Sequence, residues 1–246
     1  MQSRFFRRML HQGKARSNRR RILLIEDLQA GYTPIPKVAS SSLRLMFCQR
    51  QARQLYPDLL EQAPRALQKE VERRVRVSRG AVGTRRLAEQ YFLFAFVRNP
   101  LTRLYSCYRD KVVKAADRGK EFSLAPWGAE PGMSFEEFVR LVARIPDARS
   151  EQHFRSQHLL VRQGSHWLVN WLGRFETLDE DWRDLSERIG LEPDIRPVAR
   201  RGSGAGSALE RLPLERETAE LAAERYREDI ALLGYQDEVS SWLARL

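Results

Sequence analysis

The sequence predicts a single α/β domain with a central parallel sheet flanked by helices, on three observations. Residues 91–97 are an unbroken apolar run rich in aromatics, the pattern of a strand covered on both faces. Strand, turn and helix signals then alternate along the chain, which calls for crossover connections and a parallel sheet. Finally, 246 residues, 42% of them hydrophobic, suffice to bury one core and suit one domain better than two.

Taken in order, residues 1–21 read as a basic N-terminal extension with one short amphipathic stretch, and the domain occupies 22–246. Residues 22–25 form a short strand. Residues 32–36 are extended, because Pro34 and Pro36 disfavour helix in the residue before them. A helix follows over 40–56. Pro57 and Pro64 punctuate a second helical stretch to about residue 76, and Gly80 and Gly83 mark a loop. After the apolar strand, Pro100 opens a helix to about residue 116; a proline in the first turn has no intrahelical hydrogen bond to lose. Ser134 followed by Glu136 and Glu137 marks another helix start, where acidic residues favour the dipole. Residues 167–175 read as a strand and 178–189 as a helix. Arginine, glycine and serine make 198–207 a loop, and Ala222, Tyr226 and Ile230 repeat at helical spacing after Pro213.

Charge narrows the partners. Lys and Arg number 43 against 32 Asp and Glu, a formal +11, which calls for an anionic partner. Nucleic acid is not the one expected: there is no zinc-finger spacing, no heptad after a basic region and no glycine-aromatic RNA-binding signature. Two cysteines, Cys48 and Cys107, make no disulfide framework and no metal-ligand spacing, so reduced thiols, a cytoplasmic location and no metal are expected. No apolar run is long enough for a signal peptide or a membrane span, although the basic N-terminus gives a means of touching an anionic membrane surface.

Two segments carry chemistry. Residues 35–44 are an extended end, a lysine, a small-residue turn and a helix start. A helix N-terminus offers backbone N–H groups without partners and a partial positive charge, suited to phosphate or sulfate. Ala39, Ser40, Ser41 and Ser42 are small enough to let an anion approach, and Lys37 supplies a full charge. The glycine-rich triphosphate loop with its terminal lysine is absent, which weakens an ATP reading. In the second segment the strand at 91–97 delivers Arg98 to its carboxyl end, where open α/β sheets bind ligands, and Ser106 lies two helical turns on.

Together these segments resemble the sulfotransferases that use 3′-phosphoadenosine 5′-phosphosulfate (PAPS), especially the Golgi carbohydrate enzymes of the chondroitin and dermatan type and their bacterial relatives. The family pattern PK-x-[GA]-[ST]-[ST] reads here Pro36-Lys37-Val38-Ala39-Ser40-Ser41. The paired R-[DN]-P and R-x-x-S-x-Y read Arg98-Asn99-Pro100 and Arg103-Leu104-Tyr105-Ser106-Cys107-Tyr108. Weaker likeness continues through Gly173-Arg174-Phe175-Glu176 and Arg225-Tyr226-Arg227-Glu228-Asp229. The resemblance implies a P-loop-like sheet. It also implies that Lys37, Val38, Ala39, Ser40, Ser41 and Ser42 hold the 5′-phosphosulfate, that Arg98 and Ser106 hold the 3′-phosphate, and that the acceptor is a carbohydrate hydroxyl, with the basic surface suiting an acidic chain. Ala39 stands where glycine is commoner and is tolerable at negative φ. Asn99 and Arg44, in place of the commoner aspartate and lysine, should affect packing more than nucleotide binding.

For the base that accepts the acceptor proton, relatives show a histidine in an H-[FW]-x-x-Q setting. His153 is the first candidate and Glu151 the second. Arg200 and Arg201 sit in a loop able to close over the nucleotide. One of five tryptophans could stack on adenine or a sugar ring. The competing readings are an inactive basic adaptor that binds anionic glycan or nucleic acid, and a small-molecule kinase; the response to nucleotides separates them.

Overall fold

A computed structural model describes residues 20–114, 123–192, 194–197 and 208–246. Arg200, Arg201 and most of the basic extension lie outside the described residues. In chain order the elements begin with β1 (Arg20–Ile25), β2 (Ala30–Tyr32), α1 (Ser40–Leu55), α2 (Pro64–Val75), β3 (Arg76–Arg79), α3 (Ala81–Ala88) and β4 (Phe92–Val97). There follow α4 (Pro100–Tyr108), α5 (Phe135–Ala143), β5 (Arg162–Gln163), β6 (His166–Trp167), β7 (Trp171–Arg174) and α6 (Leu178–Ile189). The last three are α7 (Arg216–Arg225), α8 (Arg227–Leu232) and α9 (Gln236–Arg245). They group into two compact units, the first within 1–97 and 160–201, the second within 98–159 and 202–246. Among the described residues no helix is long and apolar enough to cross a membrane.

The first unit holds a five-stranded sheet of order β3-β1-β2-β4-β7. The expected all-parallel sheet is corrected here: β2, β4 and β7 run parallel, but β1 is antiparallel to both β2 and β3. The reason is length. Only residues 26–29 join β1 to β2, a 3₁₀ turn closed by Gln29 at φ 45°, and a parallel crossover needs about a dozen residues. β1 also starts two residues before the expected domain boundary, since Arg20 and Arg21 pair with Arg79 and Ser78.

Other boundaries differ for local reasons. The stretch at 57–76 is a 3₁₀ turn, Pro57–Glu61, and then α2. Gly83, read as a loop marker, lies inside α3, whose start is held by the Thr84 N–H and hydroxyl donating to the Gly80 carbonyl. Of the strand expected at 167–175 only β7, Trp171–Arg174, is one continuous strand; Trp167 instead ends the β5–β6 hairpin, which turns at Gly164 with φ 58°. α1, β4 and α6 match their expected positions within a residue or two.

The core of the first unit is aromatic. Tyr32 and Phe94 stack at 5.5 Å, Phe47 lies 5.8 Å from Trp182, and Phe96 meets Trp171 edge-on at 5.4 Å. Burying each large apolar side chain contributes about 2–3 kcal/mol, so these rings fix α1 and α6 to the sheet. Gly173 is required by this packing: a Cβ there would sit 2.5 Å from the Phe96 ring. Cys48 and Cys107 are buried thiols outside any disulfide, and burial pushes the Cys48 thiol up to about 12, which makes it a packing residue.

In the second unit α5 packs on both α4 and α7. The expected start at Ser134 is a full capping box, with Ser134 and Glu137 each bonding the other's backbone N–H. The helix from Pro100 is α-helical only to Tyr108 and continues as one π turn, Arg109–Val113. Ala222, Tyr226 and Ile230 are buried, as their spacing predicts.

Candidate active site

In the first unit, β2 delivers the chain into residues 33–39, and the Thr33 N–H still bonds the Phe94 carbonyl of the neighbouring parallel strand. The loop thus leaves the carboxyl end of β2, where open sheets bind ligands. Lys37 has φ 73° and Ala39 φ 53°, with Val38 between them at negative φ. This corrects the expectation that Ala39 keeps negative φ. A left-handed non-glycine residue costs about 1 kcal/mol, and such residues gather where a ligand site needs them. Alternating φ sign is the backbone pattern that can turn successive N–H groups toward one side, as in anion-binding concavities.

The loop leads into α1, whose N-cap residue Ala39 has no side-chain cap to give; its carbonyl accepts from the N–H groups of Ser42 and Leu43 at 2.9 and 3.1 Å. Val38 is buried, Lys37, Ala39, Ser40 and Ser42 are half-buried, and Ser41 is exposed. The six residues read from the motif thus run consecutively through this loop and the first turn of α1. Arg44 has a packing role, as expected: its guanidinium forks onto Glu72 with two 2.7 Å bonds, tying α1 to α2.

In the second unit, Asn99 caps α4 by accepting from the Leu101 and Thr102 N–H groups, again a structural role. The Arg98 side chain donates from Nε to Thr102 Oγ1 at 3.0 Å. Ser106 lies one helical turn beyond Thr102 on the same face, so Arg98 is directed along the face that carries Ser106. Both are half-buried.

His153 and Glu151, read as alternatives, form a pair. The Glu151 carboxylate meets His153 Nδ1 at 2.8 Å and accepts its backbone N–H at 2.6 Å. Burial opposes the Glu151 charge, but the hydrogen bonds and charge of His153, with Lys111 adding, hold its carboxyl below the ordinary value. The Glu151 carboxylate on Nδ1 fixes the orientation of the ring.

A model of the sulfotransferase family matches residues 20–236. This chain belongs to the sulfotransferase family. Carbohydrate sulfotransferase 14 of Mus musculus and of Homo sapiens are each 29% identical to it over 123 residues, which is 46% of this chain and 32% of theirs. About two thirds of these relatives' length therefore has no counterpart in the match. No solved structure matches the chain significantly.

Several residues that organise this chain were quoted from sequence only as parts of motifs, with no role of their own. Arg103 is fully buried and donates to the carbonyls of Arg155 and Gln152 at 2.8 and 3.1 Å, so it clamps the turn bearing His153. The Tyr226 hydroxyl donates to the Phe154 carbonyl at 2.6 Å, and Arg225 forks onto Asp147 and reaches Ser150. Asp229 accepts from the backbone N–H groups of Gln157 and His158. The string 225–229 was noticed only as weak likeness; its work is to hold residues 147–158. Of the five tryptophans, Trp127, Trp171 and Trp182 have bonded indole N–H groups and Trp242 is buried. Trp167, 43% exposed with the Arg162 guanidinium 5.5 Å from its ring, is the tryptophan open to stacking.

Proposed function

We propose that this chain is a PAPS-dependent sulfotransferase that moves a sulfuryl group onto a hydroxyl of a carbohydrate acceptor. The observation that carries the reading is the loop at 37–42, with two left-handed residues leading into a helix whose N-cap, Ala39, brings no side-chain cap. Family membership supports the transfer chemistry, and the names of the matched relatives support a carbohydrate acceptor. The formal +11 suits an acidic chain.

PAPS, when bound, supplies the sulfuryl group and a nucleotide leaving group. Lys37 and the first amides and hydroxyls of α1 would hold the 5′-phosphosulfate, in a P-loop-like use of a helix N-terminus. Arg98 and Ser106 would hold the 3′-phosphate. His153 Nε2 would take the proton of the attacking hydroxyl while Glu151 stabilises the imidazolium. Lys37 would stabilise charge building on the bridging oxygen as the S–O bond to the phosphate breaks, so the reading invokes no metal.

Adenosine 3′,5′-bisphosphate should raise the melting temperature, and labelled PAPS should label an acidic glycan. His153→Ala should lose turnover, on the order of 10²-fold, while keeping nucleotide affinity. Normal turnover of that variant at every pH would move the base to Glu151. Stabilisation by ATP with magnesium but not by the bisphosphate would support a kinase, and no nucleotide response would support the adaptor.

A further inference from the structure

Arg98 follows the last ladder pair of β4, Val97 with Arg174, and its own peptide groups need other partners. Gln157 supplies them. The Arg98 N–H donates to Gln157 Oε1 at 3.0 Å and Gln157 Nε2 donates to the Arg98 carbonyl at 2.7 Å, so one side-chain amide satisfies both groups as a neighbouring strand would. The Gln157 residue is fully buried, and its backbone N–H donates at 2.7 Å to Asp229, also fully buried. Asp229 further bonds the His158 N–H and ring at 2.8 Å each. Such a pair of bonds fixes the direction in which residue 98 leaves the strand, and Thr102 then fixes Nε.

We propose that Gln157, anchored by Asp229, is a positioning residue that aims Arg98 at the 3′-phosphate of the nucleotide, and so sets the preference for a 3′-phosphorylated donor. This rests on the reading of Arg98 as the 3′-phosphate ligand. Gln157 lies four residues beyond His153 on the same clamped segment, so the group that aims Arg98 and the proposed base share one scaffold.

The test is binding of adenosine 3′,5′-bisphosphate and of adenosine 5′-monophosphate, measured by calorimetry on the full chain and on Gln157→Met, Asp229→Asn and Arg98→Ala. The wild type should prefer the bisphosphate, and Arg98→Ala should abolish most of that preference. Gln157→Met, neutral and of similar length, should narrow the preference by about tenfold through weaker bisphosphate binding, with the monophosphate unchanged. Asp229→Asn should narrow it in the same direction although it removes a negative charge, and it decides the matter if Gln157→Met does not fold. An unchanged preference in the folded variants, or equal loss of both nucleotides, would overturn the proposal. A wild type that does not distinguish the two nucleotides would instead remove the reading of Arg98 on which it rests.

Discussion

The loop at 37–42 and the segment at 150–158 solve opposite problems. The first uses backbone: φ signs alternate across Lys37, Val38 and Ala39, the side chains from Ala39 to Ser42 are small, and Ala39 gives the start of α1 no side-chain cap, which suits the anion proposed there. The second has its backbone groups tied down by side chains from elsewhere, with Arg103 on two carbonyls, Tyr226 on a third and Asp229 on two N–H groups. A group that meets a ligand phosphate can rely on many parallel amides, each replaceable. A base that must reach one proton needs its ring held to fractions of an ångström, and that takes dedicated partners.

The comparison breaks first at Asp229. If the segment at 150–158 depends on it, Asp229→Ala should cost about 4 kcal/mol of stability, since it strands two buried N–H groups and the His158 ring; denaturant unfolding measures this, and a loss below about 1 kcal/mol would show the segment stands without it. Next is Lys37→Ala, expected to lower turnover roughly a hundredfold, a barrier change of about 3 kcal/mol, while affinity for adenosine 3′,5′-bisphosphate changes little. Normal turnover would abandon sulfuryl transfer at this loop.

A smaller effect sits at His158. Burial opposes its charge, but the Asp229 hydrogen bond and the charges of Asp229, Glu228 and Asp147 outweigh burial and hold the imidazole above its ordinary value of 6.5. A raised pKa gives stability that is fully present below 6.5 and lost as pH rises through the folded-state value. The melting temperature of the wild type should therefore fall over that rise, and His158→Gln should flatten the dependence; parallel curves would assign the pH effect elsewhere. Smallest is Ala39→Gly, which relieves a left-handed alanine at some entropic cost and should stabilise by about 0.5 kcal/mol, with Ala39→Val acting in the opposite sense. Thermal melts of both variants decide whether the loop keeps its left-handed shape without ligand.

Much of the architecture was legible because its signals are local. The run at 92–97, Pro100 at a helix start, Ser134 with Glu137 and the period through Ala222, Tyr226 and Ile230 each act within a few residues, and each lies where expected. The loop proposed to hold an anion was legible as a turn into a helix for the same reason: lysine, small residues and a helix start are neighbours in sequence. Strand direction was not, because β1 turned back through a link too short for a crossover. Nor was the sign of φ at Ala39, which the residue's own preference opposes.

What the sequence by itself determined, then, were the elements whose hydrogen bonds close on near neighbours, and the charged loop that opens α1. Only the tertiary structure decided that Glu151 and His153 act as a pair, that Gln157 completes the Arg98 backbone and that Arg103, Tyr226 and Asp229 hold their segment. Those bonds, apart from the Glu151–His153 pair, join residues about 50 to 70 positions apart. A contact at such separation leaves no periodicity or spacing in the chain; it exists only once packing has brought the two ends together.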